Sequence, residues 1–263
     1  MKDWKNNIYF VLVEPREPGN VGATARAMKN MGFGNLRIVS SSFSINEEAR
    51  WFARNAQDVL EAARTYPVLQ EAITDMSYIA GTARRKGKRR GLILPVESGV
   101  KRLYELSCVN KIAVLFGRED RGLFNEEVDE CSLIMNIPTD NSQPSLNLGQ
   151  AVLLTAYELS RVERMGRETS DIGPLSSAGL PGAWSAPQAF VDHREVSSLF
   201  ERMAAVLDML QYGDRGDSDL KGRIIQNLRH FMGRAGLTEG ELHMFHGICS
   251  QIEMMLGKVG RDA

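Results

Sequence analysis

The sequence predicts an α/β protein built on a parallel sheet, followed by a small all-α module. Short apolar, β-prone runs alternate with helical stretches from residue 8 to residue 164. The joints between them are punctuated by Gly, Pro and Asn. Past a Gly-, Pro- and Ser-dense stretch at 166–187, only helical periodicity remains. Such alternation argues for parallel strands with helices on both faces.

Each element has its own warrant. Ile8–Val13 (IYFVLV) carries no charge and suits a strand buried on both faces. A turn follows at 14–19. Asn20 is a natural N-cap for an alanine-rich helix ending near Met31, with Gly32 as its stop. Residues 36–40 read as the next strand and close a β-α-β unit. Residues 47–65 read as one helix, 71–75 as a short one, Tyr78–Thr82 as a strand and 97–106 as a helix. Ile112–Phe116 is a clear strand, 125–131 a short helix, 133–138 a strand and 146–164 the longest helix. Residues 191–211, 219–234 and 239–256 are helical, and Thr238 with Glu241 has capping-box spacing. The chain thus divides into 1–165, a flexible linker at 166–188 and a helical module at 189–263. That module is too small to be stable without packing on something.

Composition excludes several classes. Hydrophobic residues make up 43% and charged residues 25% of the 263, ordinary for a globular chain with a sizeable core. Cys108, Cys131 and Cys249 are scattered, so neither a disulfide framework nor a zinc site is expected. His243 and His246 share a helical face but lack a third ligand, and no metal is expected. The N-terminal apolar run is too short for a signal peptide or membrane span, which reads as a cytoplasmic protein without membrane contact. A formal net charge of −1 means any nucleic-acid binding must come from local basic patches.

Four segments can carry chemistry, three of them at the C-terminal ends of strands, where open α/β sheets bind ligands. In NVGATAR, Gly22 and Arg26 lie four apart on one helical face. Either the glycine admits a ligand and the arginine grips phosphate, or this is a small-residue packing helix with a surface arginine. In FGREDRGL, Gly117 and Gly122 bracket a charged turn, where backbone amides and Glu119 meet a ligand or merely connect strand to helix. In IPTDNSQPSLN, Ser145 is a natural N-cap, and with Asn147 it stands at the positive end of the long helix. Arg84, Arg85, Lys86, Lys88, Arg89 and Arg90 form a loop that suits a phosphate backbone. On the C-terminal helices Lys221, Arg223, Arg229 and Arg234 are a candidate basic face for RNA, the alternative being a bundle that only supports a dimer. No P-loop, dinucleotide fingerprint, nucleophile elbow or zinc signature occurs.

Together NVGATAR, FGREDRGL and SLNLGQAV resemble, in order and spacing, the three motifs of the SPOUT methyltransferase superfamily, in its TrmH-like branch of RNA 2′-O-methyltransferases. The resemblance spans about residues 8–164. Within the branch, EPREPGNVGATARAMKNMGF and the helical extension after the catalytic part are similar to tRNA enzymes that methylate the first nucleotide of the anticodon loop. The resemblance implies a deep trefoil knot at about 112–164. It implies S-adenosylmethionine held bent by Thr82, Ala83, Arg84, Gly117, Glu119, Gly122, Ile137, Ser145 and Leu146. It implies a catalytic set of Arg26, Asn20, Glu119, Ser145 and Asn147. It also implies tRNA as partner and a homodimer whose sites are composite, with Arg26 of one subunit facing the cofactor of the other. Ribosomal RNA or another tRNA position as substrate, and a non-catalytic RNA-binding role, stand as alternatives.

Overall fold

The computed structural model describes residues 4–83, 92–170, 188–213 and 219–259. Seven strands form one sheet: β1 (Ile8–Val13), β2 (Asn35–Val39), β3 (Arg64–Tyr66), β4 (Tyr78–Thr82), β5 (Ile93–Pro95), β6 (Ile112–Phe116) and β7 (Leu133–Asn136). Their order is β3-β2-β1-β6-β4-β7-β5, and every pair is parallel. The two strands latest in sequence are therefore inserted between earlier ones: β6 between β1 and β4, β7 between β4 and β5.

Period-two alternation explains why β1 and β6 carry no polar residue. Ile8, Phe10 and Leu12, with Ile112, Val114 and Phe116, face the larger core under α1 (Pro18–Asn30), α2 (Glu47–Ala53), α3 (Gln57–Glu61), α5 (Val96–Ser107) and α7 (Leu148–Ser170). Val11 and Val13, with Ala113 and Leu115, face the opposite core under α4 (Leu69–Ile73) and α6 (Asn125–Asp129). Both faces are dry, as the uninterrupted apolar runs require.

Several boundaries differ from the sequence reading, each for a local reason. Helix α1 begins at Pro18, whose fixed φ suits a first helical position. Its N-cap is Glu17, and Asn20 lies inside the first turn. The segment read as one helix at 47–65 is broken at Arg54, whose φ is +44°, and ends in the three-residue edge strand β3. Strand β5 was equally invisible, because three residues carry no period. Helix α7 starts at Leu148, not 146. Its cap is Asn147, whose Oδ1 accepts from Gly149 N at 2.9 Å, and not Ser145. The helix runs on to Ser170, into the stretch read as linker; residues 171–187 lie outside the described residues.

Three helices follow: α8 (His193–Met209), α9 (Leu220–Ala235) and α10 (Glu239–Val259). The capping box at Thr238 and Glu241 forms, with Thr238 N donating to the Glu241 carboxylate at 2.9 Å. The helices share a small apolar cluster around Leu199, Phe200 and Met232. They are tied to the sheet layer at several points, among them His193 N donating to Met76 O at 2.8 Å and Arg194 N to Thr74 O at 3.2 Å. Phe190 enters the larger core, and its N–H donates to Asn110 Oδ1 at 2.7 Å. Glu130, after α6, accepts from His193 and from Arg229, each at 2.9 Å. Arg102 donates to the Arg234 carbonyl at 3.2 Å. Burial pushes the Glu130 carboxyl upward, but His193 and Arg229 outweigh it and hold it below the usual range.

Candidate active site

A cleft of about 420 Å³ opens at the C-terminal ends of β4, β6 and β7. The same edge is where an open parallel sheet offers its loops to a ligand. Thr82 and Ala83 leave β4, Gly117 leaves β6 and Ile137 leaves β7, while Ser145 and Leu146 lead into α7; all six line the cleft, as do Glu119 and Gly122. Eight of the nine residues expected around a cofactor thus meet in one cavity, and the ninth, Arg84, lies outside the described residues. The floor is apolar, from Phe116, Met135, Leu148 and Ala151. An apolar floor beneath a polar, charged rim that includes Arg118, Glu119, Asp120 and Arg121 can take a small organic ligand with polar edges.

The walls are locked by short hydrogen bonds. Thr82 Oγ1 donates to the Leu115 carbonyl at 3.0 Å, joining the ends of β4 and β6. Ala83 N donates to Met135 O at 3.0 Å, and Asn136 Nδ2 to Ala83 O at 3.1 Å. Between Gly117 and Leu123 the chain turns tightly: Gly122 N donates to Arg118 O at 2.8 Å and Gly122 has φ +68°. A Cβ on Gly117 would stand 2.1 Å from the Gly122 carbonyl carbon, so only glycine lets this loop close. The Arg118 guanidinium, over the Phe124 ring at 4.0 Å, is paired with Glu127 at 2.9 Å.

The three sequence segments meet beside this cleft. Asn20 Nδ2 donates to Glu119 Oε1 at 2.9 Å, and Asn147 Nδ2 donates to Asn20 Oδ1 at 2.6 Å. Glu119 also accepts from the backbone N–H groups of Arg16 at 3.1 Å and Glu17 at 3.3 Å. With three N–H donors on its two oxygens, Glu119 is occupied as an acceptor and suits a positioning role better than that of a free base. Neither Asn20 nor Asn147 lines the cleft.

Arg26 is placed differently. It is exposed on α1, makes no hydrogen bond or ion pair among the described residues, and does not line the cleft of its own chain. For Gly22 the packing alternative holds. It is buried, and a Cβ there would stand 2.1 Å from the Ala49 carbonyl oxygen. What approaches Gly22 is the backbone of α2, so the small residues of α1 serve packing while Arg26 stays outside.

The remaining basic residues divide. Arg84, Arg85, Lys86, Lys88, Arg89 and Arg90 all lie outside the described residues. Lys221 pairs with Asp208 at 2.8 Å and Arg229 with Glu130 at 2.9 Å. Arg223 and Arg234 are exposed on α9. Among the described residues no cluster of three or more His, Cys, Asp or Glu could hold a metal, and no helix is long and apolar enough to cross a membrane. Burial pushes the Cys131 thiol well up, so it stays protonated.

Two residues of this site carry no signal in the sequence: Arg16, whose backbone N–H holds Glu119, sits in a turn marked only by prolines and a glycine, and Arg118, which lines the cleft, reads as one charge among several in FGREDRGL.

Comparisons with known proteins show what the chain is similar to. The SpoU rRNA Methylase family matches residues 7–157. The uncharacterized tRNA/rRNA methyltransferase LasT of Escherichia coli K12 is 32% identical over 252 residues, 95% of this chain and 99% of that protein. The tRNA (cytidine/uridine-2′-O-)-methyltransferase TrmJ of Sodalis glossinidius is 31% identical over 94% of this chain and 92% of its own length. Among solved structures, TrmJ from Z. mobilis ZM4 superposes with a TM-score of 0.75 at 26% identity, covering 93% of this chain and 98% of that one.

Proposed function

The chain belongs to the SpoU rRNA methylase family, and on that premise we propose that it methylates a ribose 2′-hydroxyl of tRNA, at a cytidine or uridine opening the anticodon loop. The observation that carries the reading is the hydrogen-bonded line from Glu119 through Asn20 to Asn147, set against a cleft that eight of the nine expected cofactor residues line. A bound S-adenosylmethionine supplies an already activated methyl group. The apolar floor of Phe116, Met135, Leu148 and Ala151 suits its adenosine part.

The chain's own residues then have positioning to do, the dominant contribution when the donor is activated. Asn20 and Asn147, fixed by Glu119, hold the start of α1 against the start of α7. Ser145 stands at the cleft mouth, where its hydroxyl can orient the ribose. Arg26 grips a phosphate of the target and stabilises charge developing on the 2′-oxygen. A guanidinium remains protonated, so Arg26 is no general base.

Arg26 is exposed and does not line its own cleft, which favours a homodimer in which it serves the partner's site. Insertion of β6 and β7 between earlier strands is the sheet order a trefoil knot at 112–164 would require. We read 1–165 as the catalytic part and 189–263 as a helical module that grips tRNA, with Arg223 and Arg234, exposed on α9, among its cations. A tRNA substrate suits a cytoplasmic protein.

The test is methyl transfer from labelled S-adenosylmethionine to bulk tRNA and to ribosomal RNA, with mapping of the modified nucleotide. A 2′-O-methyl group on the first anticodon-loop nucleotide is the expected result. Label only in ribosomal RNA would discard the tRNA assignment and keep the chemistry; label in neither would leave a binding protein on the same fold.

A further inference from the structure

Beside the cofactor cleft lies a second, polar groove of about 500 Å³, whose lining includes Glu14, Arg16, Ser42, Phe43, Ser44 and Arg118. It lies at the C-terminal ends of β1 and β2, one strand over from the cleft, and Arg118 lines both cavities. We propose that this groove is a base-reading subsite, in which the Glu14 carboxylate accepts a hydrogen bond from the exocyclic amino group of an RNA base, cytosine or adenine, stacked on Phe43. The proposal rests on the reading of the chain as an RNA methyltransferase and adds the part of the substrate that the cleft leaves unread.

Three features point to a base rather than a phosphate. The first is charge. The groove's two cations already have acidic partners: Arg16 pairs with Asp120 at 2.9 Å and Arg118 with Glu127 at 2.9 Å. Glu14, half-buried, has no hydrogen bond or ion pair from its side chain among the described residues. The uncompensated group is therefore an acceptor anion, which repels phosphate and suits an amino donor. The second is shape. Phe43 packs its ring partly on the core beneath and leaves the rest in the groove, where it offers the stacking surface on which unpaired bases are read. Ser42 and Ser44, both exposed, supply hydroxyls that can donate or accept at the base edge or the ribose.

The third is strain. Glu14 has φ +49°, a left-handed conformation rare for a residue with a long side chain. Its N–H is still held by Val39 O at 2.8 Å, the last rung between β1 and β2. The chain thus leaves the sheet sharply at Glu14, which brings the residue into the groove wall. Conformations of this kind persist where the surroundings impose them, and they gather at binding sites.

The experiment reads binding and transfer separately. Labelled anticodon stem-loop transcripts, with each loop nucleotide in turn changed between cytidine and uridine or between adenosine and guanosine, are titrated by anisotropy with S-adenosylhomocysteine present. Wild-type protein is expected to favour the base bearing a 4- or 6-amino group at one position by about tenfold, the scale of one good base-edge contact. Glu14→Gln, nearly isosteric and able to donate as well as accept, is expected to abolish that preference. Affinity for S-adenosylhomocysteine should not change in the variant, which also reports that it is folded. Absence of any base preference in the wild type would overturn the proposal. So would an equal loss of affinity by Glu14→Gln for every transcript, since that would mean the carboxylate holds ribose hydroxyls. Methyl transfer is measured on the same transcripts, so its absence would strike the methyltransferase reading while the binding preference still decides the groove.

Discussion

Asn20 and Glu119, 99 positions apart in the chain, are joined by a hydrogen bond of 2.9 Å, and through it the start of α1 is fixed to the loop that closes the cofactor cleft. Asn20 reaches Asn147 with its other amide atom at 2.6 Å, so one side chain joins the first turn of α1 to the Glu119 loop and to the start of α7. Such an amide matters by orientation, since both its donor and its acceptor are used.

Asn20→Ala should therefore lower turnover by about 10²-fold, the scale expected when a reacting geometry is displaced by about 1 Å. Affinity for S-adenosylhomocysteine should stay near wild type, because Asn20 does not line the cleft. Steady-state kinetics with a parallel calorimetric titration separates the two. Near-normal turnover would remove the hydrogen-bonded line from the mechanism.

Two glycines that look alike in sequence should behave differently. Gly22→Ala drives a methyl group into the Ala49 carbonyl of α2, so it should cost about 1–3 kcal/mol of stability by overpacking. Gly117→Ala meets the Gly122 backbone instead, forces open the cleft-forming turn, and should weaken S-adenosylhomocysteine binding more than tenfold for a smaller loss of stability. Urea unfolding and ligand titration of both variants would show whether the effects divide in this way.

What the sequence made legible follows from which signals are local. The unbroken apolar runs of β1 and β6 could only be strands covered on both faces, and they are. Edge strands β3 and β5, three residues each, carry no period and were absorbed into neighbouring segments. The cofactor residues were legible through a resemblance in three motifs; spacing alone left Gly22 open between ligand and packing, and only the approach of α2 decides it. Glu14 was beyond reach, because its significance lies in a backbone angle and in a groove shared with residues from 40 to 46.

An ion-pair cluster at the far side of β2 gives a pH prediction. Arg37 is buried, donates to Asp75 at 2.6 and 3.1 Å, and lies over the Tyr9 ring at 4.5 Å; Lys111 adds a contact to Asp75 at 3.1 Å. Burial raises the Asp75 carboxyl, but hydrogen bonds from Arg37 and Lys111 outweigh it and bring it down to about 2. A carboxyl depressed on folding adds stability above its unfolded value, near 4, and loses it as pH falls toward 2. The depression corresponds to at most about 2.5 kcal/mol, and the partial exposure of Asp75 reduces it to about 1–2 kcal/mol. Asp75→Asn should thus be less stable than wild type at pH 7, with the gap closing between pH 4 and pH 2. A gap that persisted unchanged to pH 2 would mean the charge on Asp75 is not what stabilises the cluster.

The position of Arg26 yields the last prediction. It lies exposed on α1, outside the cleft of its own chain, while the groups that line that cleft come from β4, β6 and β7, the loops after them and the start of α7. If Arg26 acts in the partner's site, Arg26→Ala and Gly117→Ala damage different halves of a composite site. Each variant alone should lose about 10²–10³-fold in turnover, the scale for removing a charge-stabilising donor or its counterpart. Mixed after brief unfolding and refolding together, they form heterodimers in which one site has both lesions and the other has neither. Random pairing makes about half of the dimers mixed, each with one intact site, so activity should return to about a quarter of wild type. An Arg26 that served its own cleft would leave every site in the mixture damaged, and the mixture as inactive as its components.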